Sequence, residues 1–370
     1  MGSWKIGTGF ARVAPILSIG LVAVWALGQI LRDRNWWTGL MFYFPTPVLV
    51  ACLLLLLKLS RTSRRLTLGL LIAPLAILLG VEHQWVQPEF TTTEISTIDM
   101  HESSSAPDTA AFDATPDLIP LRLIHWNLAR GVMGWEKQWR HIESLHPDII
   151  VLSEIPELFN AKTLTGFDVL VIDSMAVACH GSMTKSGPLV RGGVLRAWHV
   201  TCQLSAGPLE VMIADMASRI GIPRDPYLRP FVALLAERQI DVSVGDFNAP
   251  RRSLAFCDLP TGYRHAYDAA GAGWSCTWPV PVPFLAIDQC IIGPRLKSAH
   301  YQLQSTLLSD HRLQILDCEW LPRNHTPRGF KKSAVEADRD TEKAGKALGG
   351  FLPSRFEASQ KTKGDEPKQR

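Results

Sequence analysis

The segment Val242-Ser243-Val244-Gly245-Asp246-Phe247-Asn248 leads from an apolar, β-branched run directly into polar residues. A short apolar run of this composition predicts a buried strand. Asp246 and Asn248 then follow the strand, and functional side chains concentrate where strands end. Asp-Phe-Asn alone is also compatible with an ordinary turn, so the segment predicts a site only in company with others.

Polar residues also lie at the ends of other apolar runs, or inside one of them. A single carboxylate after a strand is usually an ordinary exposed side chain, so no one of these groups is decisive. Five groups of this kind, each at the predicted mouth of a strand, indicate a common site. Besides the Asp246 segment they contribute Asn127, Glu154, Asp288, Asp310 and His311.

Between residues 121 and 322 the chain alternates short apolar runs with turn residues. Strands are predicted at 121–128, 149–153, 169–172, 194–200, 209–214, 240–244, 285–292 and 314–320. Helices are predicted at 135–145 and 230–238, where apolar residues recur at helical spacing. Many strands and a few helices in one domain of this size predict a layered α/β sandwich.

The order and types of these residues resemble the endonuclease/exonuclease/phosphatase superfamily, the DNase-I-like metal phosphoesterases. The resemblance covers essentially all of 121–322 and depends most on Gly-Asp-Phe-Asn at 245–248 and Ser-Asp-His at 309–311. Thr277-Trp278-Pro279 and Ile287-Asp288 lie between them at suitable intervals. The resemblance implies a four-layered sandwich of two packed β-sheets flanked by helices. It also implies metal-dependent hydrolysis of phosphate mono- or diesters.

The resemblance implies a metal site as well. Glu154 would hold a Mg²⁺ or Mn²⁺ ion, with Asn127 and Asp310 close to it. Carboxylate and amide oxygens are the ligands that such hard divalent cations prefer. A bound cation would offset the charge that develops on the phosphate as water attacks.

The other matched residues would act on water and phosphate. Asp246 would orient or deprotonate the attacking water, and Asn248 would hold the scissile phosphate. Asp288 would orient His311, which would contact the phosphate oxygens. A histidine paired with a buried aspartate keeps one tautomer and can be cationic near neutral pH.

One position departs from the family pattern. The strand at 211–216 ends in Asp215, where the family usually has a histidine. A carboxylate facing a phosphate repels it unless a metal or a proton intervenes. Either Asp215 joins the metal ligands, or this step differs, or another residue such as Arg219 enters the pocket.

The first 81 residues predict a membrane segment. Three uncharged apolar runs, 13–31, 36–57 and 66–81, approach the roughly 20 residues that a membrane-spanning helix needs. Three spans are predicted, and two spans with one surface helix are the alternative. With this segment in front of the domain, the chain resembles membrane-anchored bacterial members of the superfamily.

Charge sets the predicted orientation. Basic residues concentrate before the first run and between the second and third runs. Because positive residues stay in the cytoplasm, the N-terminus is expected inside and everything after Val81 outside the cytoplasmic membrane. If the third run does not cross the membrane, everything after Val81 is expected inside the cytoplasm instead.

The flanking regions are predicted as polar segments. Residues 82–120 have eight acids and no lysine or arginine, which predicts a disordered acidic linker. Residues 323–370 predict a basic disordered tail. Of the seven cysteines, one lies in a predicted span, and the others are expected to be mostly free, buried thiols with at most one or two bridges.

The whole chain carries a net charge of +3, whereas 121–322 has 18 basic and 19 acidic residues. A nearly neutral domain lacks the positive field with which nucleases follow a phosphate backbone, so nucleic acid is the less favoured partner. The membrane segment favours a phosphorylated substrate at the membrane, including a lipid-linked one. A metal-dependent nuclease and a non-catalytic domain that binds phosphorylated ligands stay open as alternatives. The sequence leaves the oligomeric state undetermined.

Overall fold

The computed structural model describes residues 8–59, 64–85, 118–191 and 193–322. All of them belong to one unit, Met1–His325. The N-terminal part of this unit is helical. Its four helices are α1 Thr8–Leu31, α2 Trp36–Phe42, α3 Thr46–Leu59 and α4 Arg64–Gly80.

One helix is long and apolar enough to cross a membrane, within Val13–Leu31 of α1. The predicted second span is broken, because α2 and α3 meet at an angle of 62°. Pro45 explains the break, since proline donates no amide hydrogen and disfavours helical backbone at the residue before it. The bent pair counts as a second span only if both halves cross together.

The third predicted span is short, as its apolar run at 66–81 already indicated. Helix α4 has 17 residues and contains Pro74, whereas a membrane-spanning helix needs about 20. By length and composition the described residues therefore contain one span, or two with the bent pair, rather than the predicted three.

Fourteen strands and four further helices follow in the described residues. The strands are β1 His83–Gln84, β2 Ile119–Asn127, β3 Ile149–Ser153, β4 Asp168–Ile172, β5 Met175–Cys179, β6 Ser182–Arg191, β7 Leu195–Leu204, β8 Gly207–Met216, β9 Val242–Asp246, β10 Arg264–His265, β11 Gly273–Trp274, β12 Asp288–Ile292, β13 Leu296–Gln304 and β14 Leu313–Trp320. The helices are α5 Trp135–Glu143, α6 Asp225–Glu237, α7 Leu254–Cys257 and α8 Ala266–Ala270.

Twelve of these strands form two mixed sheets of six strands each. The first sheet has the order β13-β14-β2-β3-β5-β4, and the second has the order β10-β12-β9-β8-β7-β6. Each sheet contains one parallel pair, β2 with β3 and β8 with β9. The remaining pairings are antiparallel. The two parallel pairs are important because their carboxyl ends form the candidate site.

The main core lies between the two sheets. One buried cluster takes side chains from both of them, among which are Leu123, Ile149, Val151, Val211, Ile213, Val242 and Val244. The alternate residues of the same strands point outward and are buried as well, as Ile150 and Leu152 show. Strands buried on both faces read as unbroken apolar runs, which is why these segments were recognisable in the sequence.

Helices cover the outer faces of both sheets. Trp139 and Ile142 of α5 pack with Ile150 and Leu152 on the first sheet. On the second sheet, α6 and α7 contribute Leu228, Phe231, Leu235 and Phe256 to a separate buried cluster. The α6 residues recur at the three- and four-residue spacing of one helix face. The predicted four-layered α/β sandwich is therefore confirmed.

The helical part lies against the sandwich through several direct contacts. The buried Asp33 accepts a hydrogen bond through Oδ1 from the Leu254 amide at 2.9 Å. Arg252 donates to the side-chain oxygen of Gln29 at 3.0 Å, and Arg251 donates to the carbonyl of Val81 at 2.8 Å. These bonds join the end of α1, the turn after it and the residue after α4 to the segment between β9 and the start of α7.

The first residues of the predicted linker belong to this contact. Strand β1 pairs with β11, and the Ser275 hydroxyl donates to a Glu82 carboxylate oxygen at 2.6 Å. The rest of the predicted linker up to residue 117, and the predicted tail at 323–370, lie outside the described residues. All seven cysteines are free, and five of them are buried.

Candidate active site

The site lies where the carboxyl ends of the two parallel strand pairs approach each other across the sandwich. Asn127 ends β2 of the first sheet, and Asp246 ends β9 of the second. Asn127 Nδ2 donates to Asp246 Oδ2 at 3.0 Å, and both side chains are buried. This bond links the two sheets directly and aligns one oxygen of Asp246.

Gly245 allows the parallel pair of β8 and β9 to form. A Cβ atom at this position would lie 1.9 Å from the Ala214 carbonyl oxygen on β8. No side chain is compatible with that distance, so only glycine allows β9 to run this close to β8. The Gly-Asp-Phe-Asn motif therefore has a structural reason for its first residue and places Asp246 beside Asp215, its partner in register.

At Asn248 the chain turns so that this residue bonds to the ends of β8 and β9. Its φ of 44° lies in the left-handed region, which asparagine adopts more readily than most residues. The Asn248 amide donates to Asp246 Oδ1 at 2.9 Å, and its side-chain nitrogen donates to the Met216 carbonyl at 2.7 Å. The side chain is thereby fixed next to Asp246.

Asp288 and His311 form a buried hydrogen-bonded pair. His311 Nδ1 lies 2.8 Å from Asp288 Oδ2, and Asp288 is the register partner of Asp246 on β12. Thr277 Oγ1 accepts the Asp288 amide at 3.2 Å, and Ser309 Oγ accepts the His311 amide at 3.1 Å. The Asp288 contact holds one ring nitrogen of His311, so the other is available to a substrate.

The electrostatics of this pair favour a charged histidine. Burial lowers the pKa of His311, but the carboxylates of Asp288, Asp246 and Asp310 outweigh burial and raise that pKa to about 9. Burial raises the pKa of Asp288, but the nearby His311 lowers it by more, so the pKa of Asp288 lies below its usual value. The pair is therefore an aspartate–histidinium ion pair at neutral pH.

Asp246 is in a different situation. Burial, and next the charge of Asp288, raise the pKa of Asp246 well above its usual value. A buried carboxylate of this kind is stabilised in its ionised form by a nearby cation. One oxygen each from Asp246 and Asp288 and one ring nitrogen of His311 lie within 4.8 Å of one another.

The residues fit a divalent metal ion, although not simply as a three-ligand site of Asp246, Asp288 and His311. His311 Nδ1 is already bonded to Asp288, so these two side chains act as a pair. The carboxylates that remain are Asp246, Glu154 and Asp310, which border one cleft of about 590 Å³. An oxygen-rich set of this kind suits Mg²⁺ or Mn²⁺.

The structure brings most of the sequence-predicted residues into this cleft. Its lining includes Glu154, Asp246, Asn248, Asp310 and His311. Asn127 and Asp288 lie directly behind them, through their bonds to Asp246 and His311. Asp310 is held by Trp278, whose ring N–H donates to Asp310 Oδ2 at 3.0 Å.

Glu154 borders the cleft from the first sheet. It follows β3 with a φ of 45°, and its side chain is 37% exposed. Arg130 lies 3.6 Å from its carboxylate. Of the three candidate carboxylate ligands, Asp310 is exposed, Glu154 is half-buried and Asp246 is buried.

Asp215 interacts with a residue that sequence reasoning missed. Its carboxylate forms an ion pair with Arg196 and accepts a hydrogen bond from Ser174 at 3.1 Å. Arg196 is the register partner of Asp215 on β7, so a correct alignment of the 194–200 and 209–214 runs would have found it. Asp215 and Arg219, the other candidate, border a neighbouring cleft of about 740 Å³ that shares Glu154 and Asn248 with the first.

A second missed group comes from the helical part. Leu40, Tyr43, Phe44 and Pro45, at the end of α2 and the turn to α3, border the same cleft as Asp246 and His311. Their sequence signal is an apolar run, which predicts burial in protein or lipid and nothing about a site. The sequence predicted this run only as part of a membrane span.

No protein-family model matches the sequence, and no curated protein matches it. Among solved structures, an endonuclease/exonuclease/phosphatase family protein from Bacteroides thetaiotaomicron is similar, with 14% identity and a TM-score of 0.42, covering 55% of this chain and 99% of that one. TDP2 from D. rerio, complexed with a single-strand DNA product, has 16% identity and a TM-score of 0.45, covering 54% and 98%. The human Nocturnin catalytic domain with bound sulfate has 16% identity and a TM-score of 0.42, covering 55% and 97%.

Proposed function

We propose that the protein is a divalent-metal-dependent phosphoesterase that hydrolyses phosphate mono- or diesters. The observation that carries this proposal is the meeting of four groups in one cleft. These are the Asp288–His311 ion pair, the buried Asp246, Asn248, and the carboxylates of Glu154 and Asp310. Phosphoester hydrolysis requires a cation for the phosphate oxygens and a base for water, and the cleft contains both.

Each residue has a role that its surroundings support. Asp246 accepts a proton from the attacking water, which fits a carboxyl group whose pKa is raised by burial. His311 donates from its free ring nitrogen to a phosphate oxygen, and Asp288 keeps it charged and oriented. Asn248 holds a second phosphate oxygen beside Asp246.

Glu154, Asn127 and Asp310 are the proposed metal ligands. A bound Mg²⁺ or Mn²⁺ ion supplies charge stabilisation at the phosphate and lowers the pKa of coordinated water. Asn127 orients Asp246 through its side-chain nitrogen, while its oxygen, which accepts the Ala129 amide at 2.9 Å, keeps a second lone pair for a metal.

We also propose that the enzyme is tethered to the cytoplasmic membrane through the span at Val13–Leu31, with the sandwich outside, and that it acts on a lipid or another cell-envelope substrate. The apolar Val13–Leu31 helix and the basic residues around it support the tether and the orientation. Reporter fusions after Val81 test the placement. Activity of a cytoplasmic reporter alone contradicts it.

The activity is tested on the full chain with Mg²⁺, using wild type, Glu154→Ala and His311→Ala. We expect each variant to lose about a hundredfold or more in kcat, since each lacks a group that acts on the phosphate or its metal. Glu136→Ala, which removes an 84% exposed carboxylate on α5, is the matched control and should retain activity. Equal hydrolysis by wild type and both site variants contradicts catalysis and leaves a domain that only binds phosphorylated ligands.

The choice of substrate distinguishes a nuclease from a phosphoesterase that acts on small esters. The nearly neutral charge of 121–322 favours a compact phosphoester over a long phosphate backbone. Single-stranded and duplex DNA and RNA are therefore expected to survive incubation that hydrolyses small phosphoesters. Rapid cleavage of nucleic acid with no small-ester hydrolysis reverses the choice.

A further inference from the structure

The cleft that contains the candidate catalytic residues has a second, apolar character. Five apolar side chains border it together with Asp246 and His311; we call them the apolar wall: Leu40, Phe44, Ile220, Leu285 and Ile287. Ile287 directly precedes Asp288, so the apolar wall begins next to the aspartate–histidine pair. The cleft therefore offers a charged place for a phosphate and an apolar place beside it.

Part of the apolar wall is exposed. Leu40 is 40% exposed and Ile220 is 64% exposed, and they come from α2 and from the loop before α6. Apolar surface in a concave site is stabilised when an apolar ligand covers it. Sugars and nucleosides have hydroxyl and amide groups, and the apolar wall itself offers no hydrogen bonds to such groups.

The helical side of the apolar wall is a fixed part of the cleft. The buried Asp33, three residues before α2, accepts the Leu254 amide at 2.9 Å. The side chain of Gln29, near the end of α1, bonds Arg252 at 3.0 Å. These contacts anchor the chain just before Leu40 to the loop that follows Asp246 and Asn248, so Leu40 and Phe44 keep their position relative to the catalytic residues.

The neighbouring surface points to an apolar environment. Trp36 and Trp37, on the same short helix as Leu40, are 55% and 42% exposed. Exposed tryptophans at the end of an apolar helix are typical of the boundary between membrane and water. A substrate whose hydrocarbon part comes from a bilayer would reach the cleft from this surface.

We propose that the apolar wall binds the hydrocarbon part of an amphiphilic phosphoester while its phosphate lies at Asp246 and His311. This inference rests on the proposed phosphoesterase activity and specifies its substrate class. Recognition then has two parts. The charged residues select phosphate, and the helical segment, which was expected to serve only as an anchor, selects a hydrocarbon chain.

The test compares ethyl and octyl phosphates, and ethyl and octyl para-nitrophenyl phosphates, on the full chain in vesicles of a phosphate-free glycolipid with Mg²⁺. Each methylene group that leaves water improves affinity by up to about fourfold. We therefore expect kcat/KM for the octyl ester of the hydrolysed class to exceed that for the ethyl ester by about tenfold or more. A ratio near one overturns the inference.

Two variants connect the effect to the apolar wall. Leu40→Gln and Ile220→Gln should each lower the octyl-to-ethyl ratio by about threefold or more, because each replaces aliphatic surface with an amide. Leu158→Gln, at a leucine that is 94% exposed and borders neither cleft, is the matched control and should retain the wild-type ratio. A ratio unchanged in both wall variants overturns the inference, since partition into the vesicles would then explain the preference.

Binding of ethyl and octyl phosphonates, measured by titration, separates this inference from the proposed activity. Tighter binding of the octyl compound, lost in Leu40→Gln, supports the apolar wall even if no ester is hydrolysed, and in that case the phosphoesterase proposal fails alone. Hydrolysis without any effect of chain length keeps the phosphoesterase and overturns the apolar wall. Faster cleavage of a DNA oligonucleotide than of the octyl ester also overturns it.

Discussion

At the residue scale, Asp288 determines the charge of His311. The two side chains share a buried hydrogen bond of 2.8 Å, and carboxylates outweigh burial in setting the pKa of His311 near 9. Because that pKa is raised, the cationic form is present below about pH 9 and is lost as the pH rises through that value. A cation is the form that holds a phosphate oxygen.

We therefore expect kcat/KM of the wild type to fall at alkaline pH as His311 loses its proton. With Mg²⁺ bound, this limb should lie at or below the pKa of about 9 that His311 has without a metal. Asp288→Asn should lower kcat/KM by about a hundredfold, and its alkaline limb should move to lower pH because the neighbouring charge is gone. Rate profiles at a fixed, saturating Mg²⁺ concentration measure both effects. An alkaline limb at the same pH in both proteins is inconsistent with this role of Asp288.

For Asp215 we expect no part in metal binding. Its carboxylate is committed to Arg196 and Ser174, so its charge is already compensated without a metal. Asp215→Asn should leave the Mg²⁺ concentration for half-maximal activity within about twofold of the wild type, whereas Glu154→Gln should raise it about tenfold or more. If Asp215→Asn raises it as strongly as Glu154→Gln, Asp215 belongs to the metal ligands after all.

At the element scale, the spacing of β8 and β9 depends on Gly245. Gly245→Ala places a carbon where the Ala214 carbonyl oxygen lies, so the strands must separate. The expected loss in free energy of unfolding is about 3 kcal/mol or more. Gly221→Ala, where nothing lies within 4 Å of the added carbon, is the matched control and should change it by less than about 1 kcal/mol. Equal urea midpoints for the two variants contradict this explanation.

The sequence predicted most of the longer strands, including the interior strand β3 and the edge strand β4. The 149–153 run matches β3 to the residue, because a strand buried on both faces is an unbroken apolar run. The interior strand β5 was missed although its residues, Met175–Cys179, are also an unbroken apolar run. Strands β6 and β13 were missed as well. They lie at the edges of the two sheets, and their sequences mix polar residues with apolar ones, so no such run appears.

The site was predictable in part for a similar reason. Asn127, Asp246 and Asp288 lie at strand ends, so each could be recognised from its own local pattern. Pairing of β9 with β12 brings the two aspartates together, and packing of the two sheets brings Asn127 to Asp246. Arg196 required the register of a hairpin, and Leu40 lies more than 200 residues before Asp246 in the chain. Contacts of that kind arise only from packing, which the local pattern does not encode.

At the scale of the whole molecule, two buried histidines limit stability in acid. Burial lowers the pKa of His125 to about 4, and burial together with the charge of Arg251 lowers that of His265 to about 3. Both are neutral in the folded protein near neutral pH. The stability they contribute is therefore complete above their unfolded pKa of 6.5 and is lost as the pH falls toward the folded values.

We expect the free energy of unfolding to fall by about 2 kcal/mol per buried histidine between about pH 7 and about pH 5. Over the same pH interval, the free energy of unfolding of His265→Leu should fall by about 2 kcal/mol less than that of the wild type. At neutral pH this variant is expected to be less stable because its packing is altered. Urea titrations of the full chain at both pH values measure the difference. The same pH dependence in His265→Leu and wild type rules out this contribution.

The contact between Asp33 and Leu254 has a practical consequence for anyone who prepares this protein. Expressing 121–322 alone is the obvious route to a soluble sample, yet it deletes Leu40 and Phe44 from the rim of the cleft. Such a fragment would keep the candidate catalytic residues and lose one side of the cleft. An inhibitor or substrate screen on it would rank compounds for a wider opening than the one that the full chain presents.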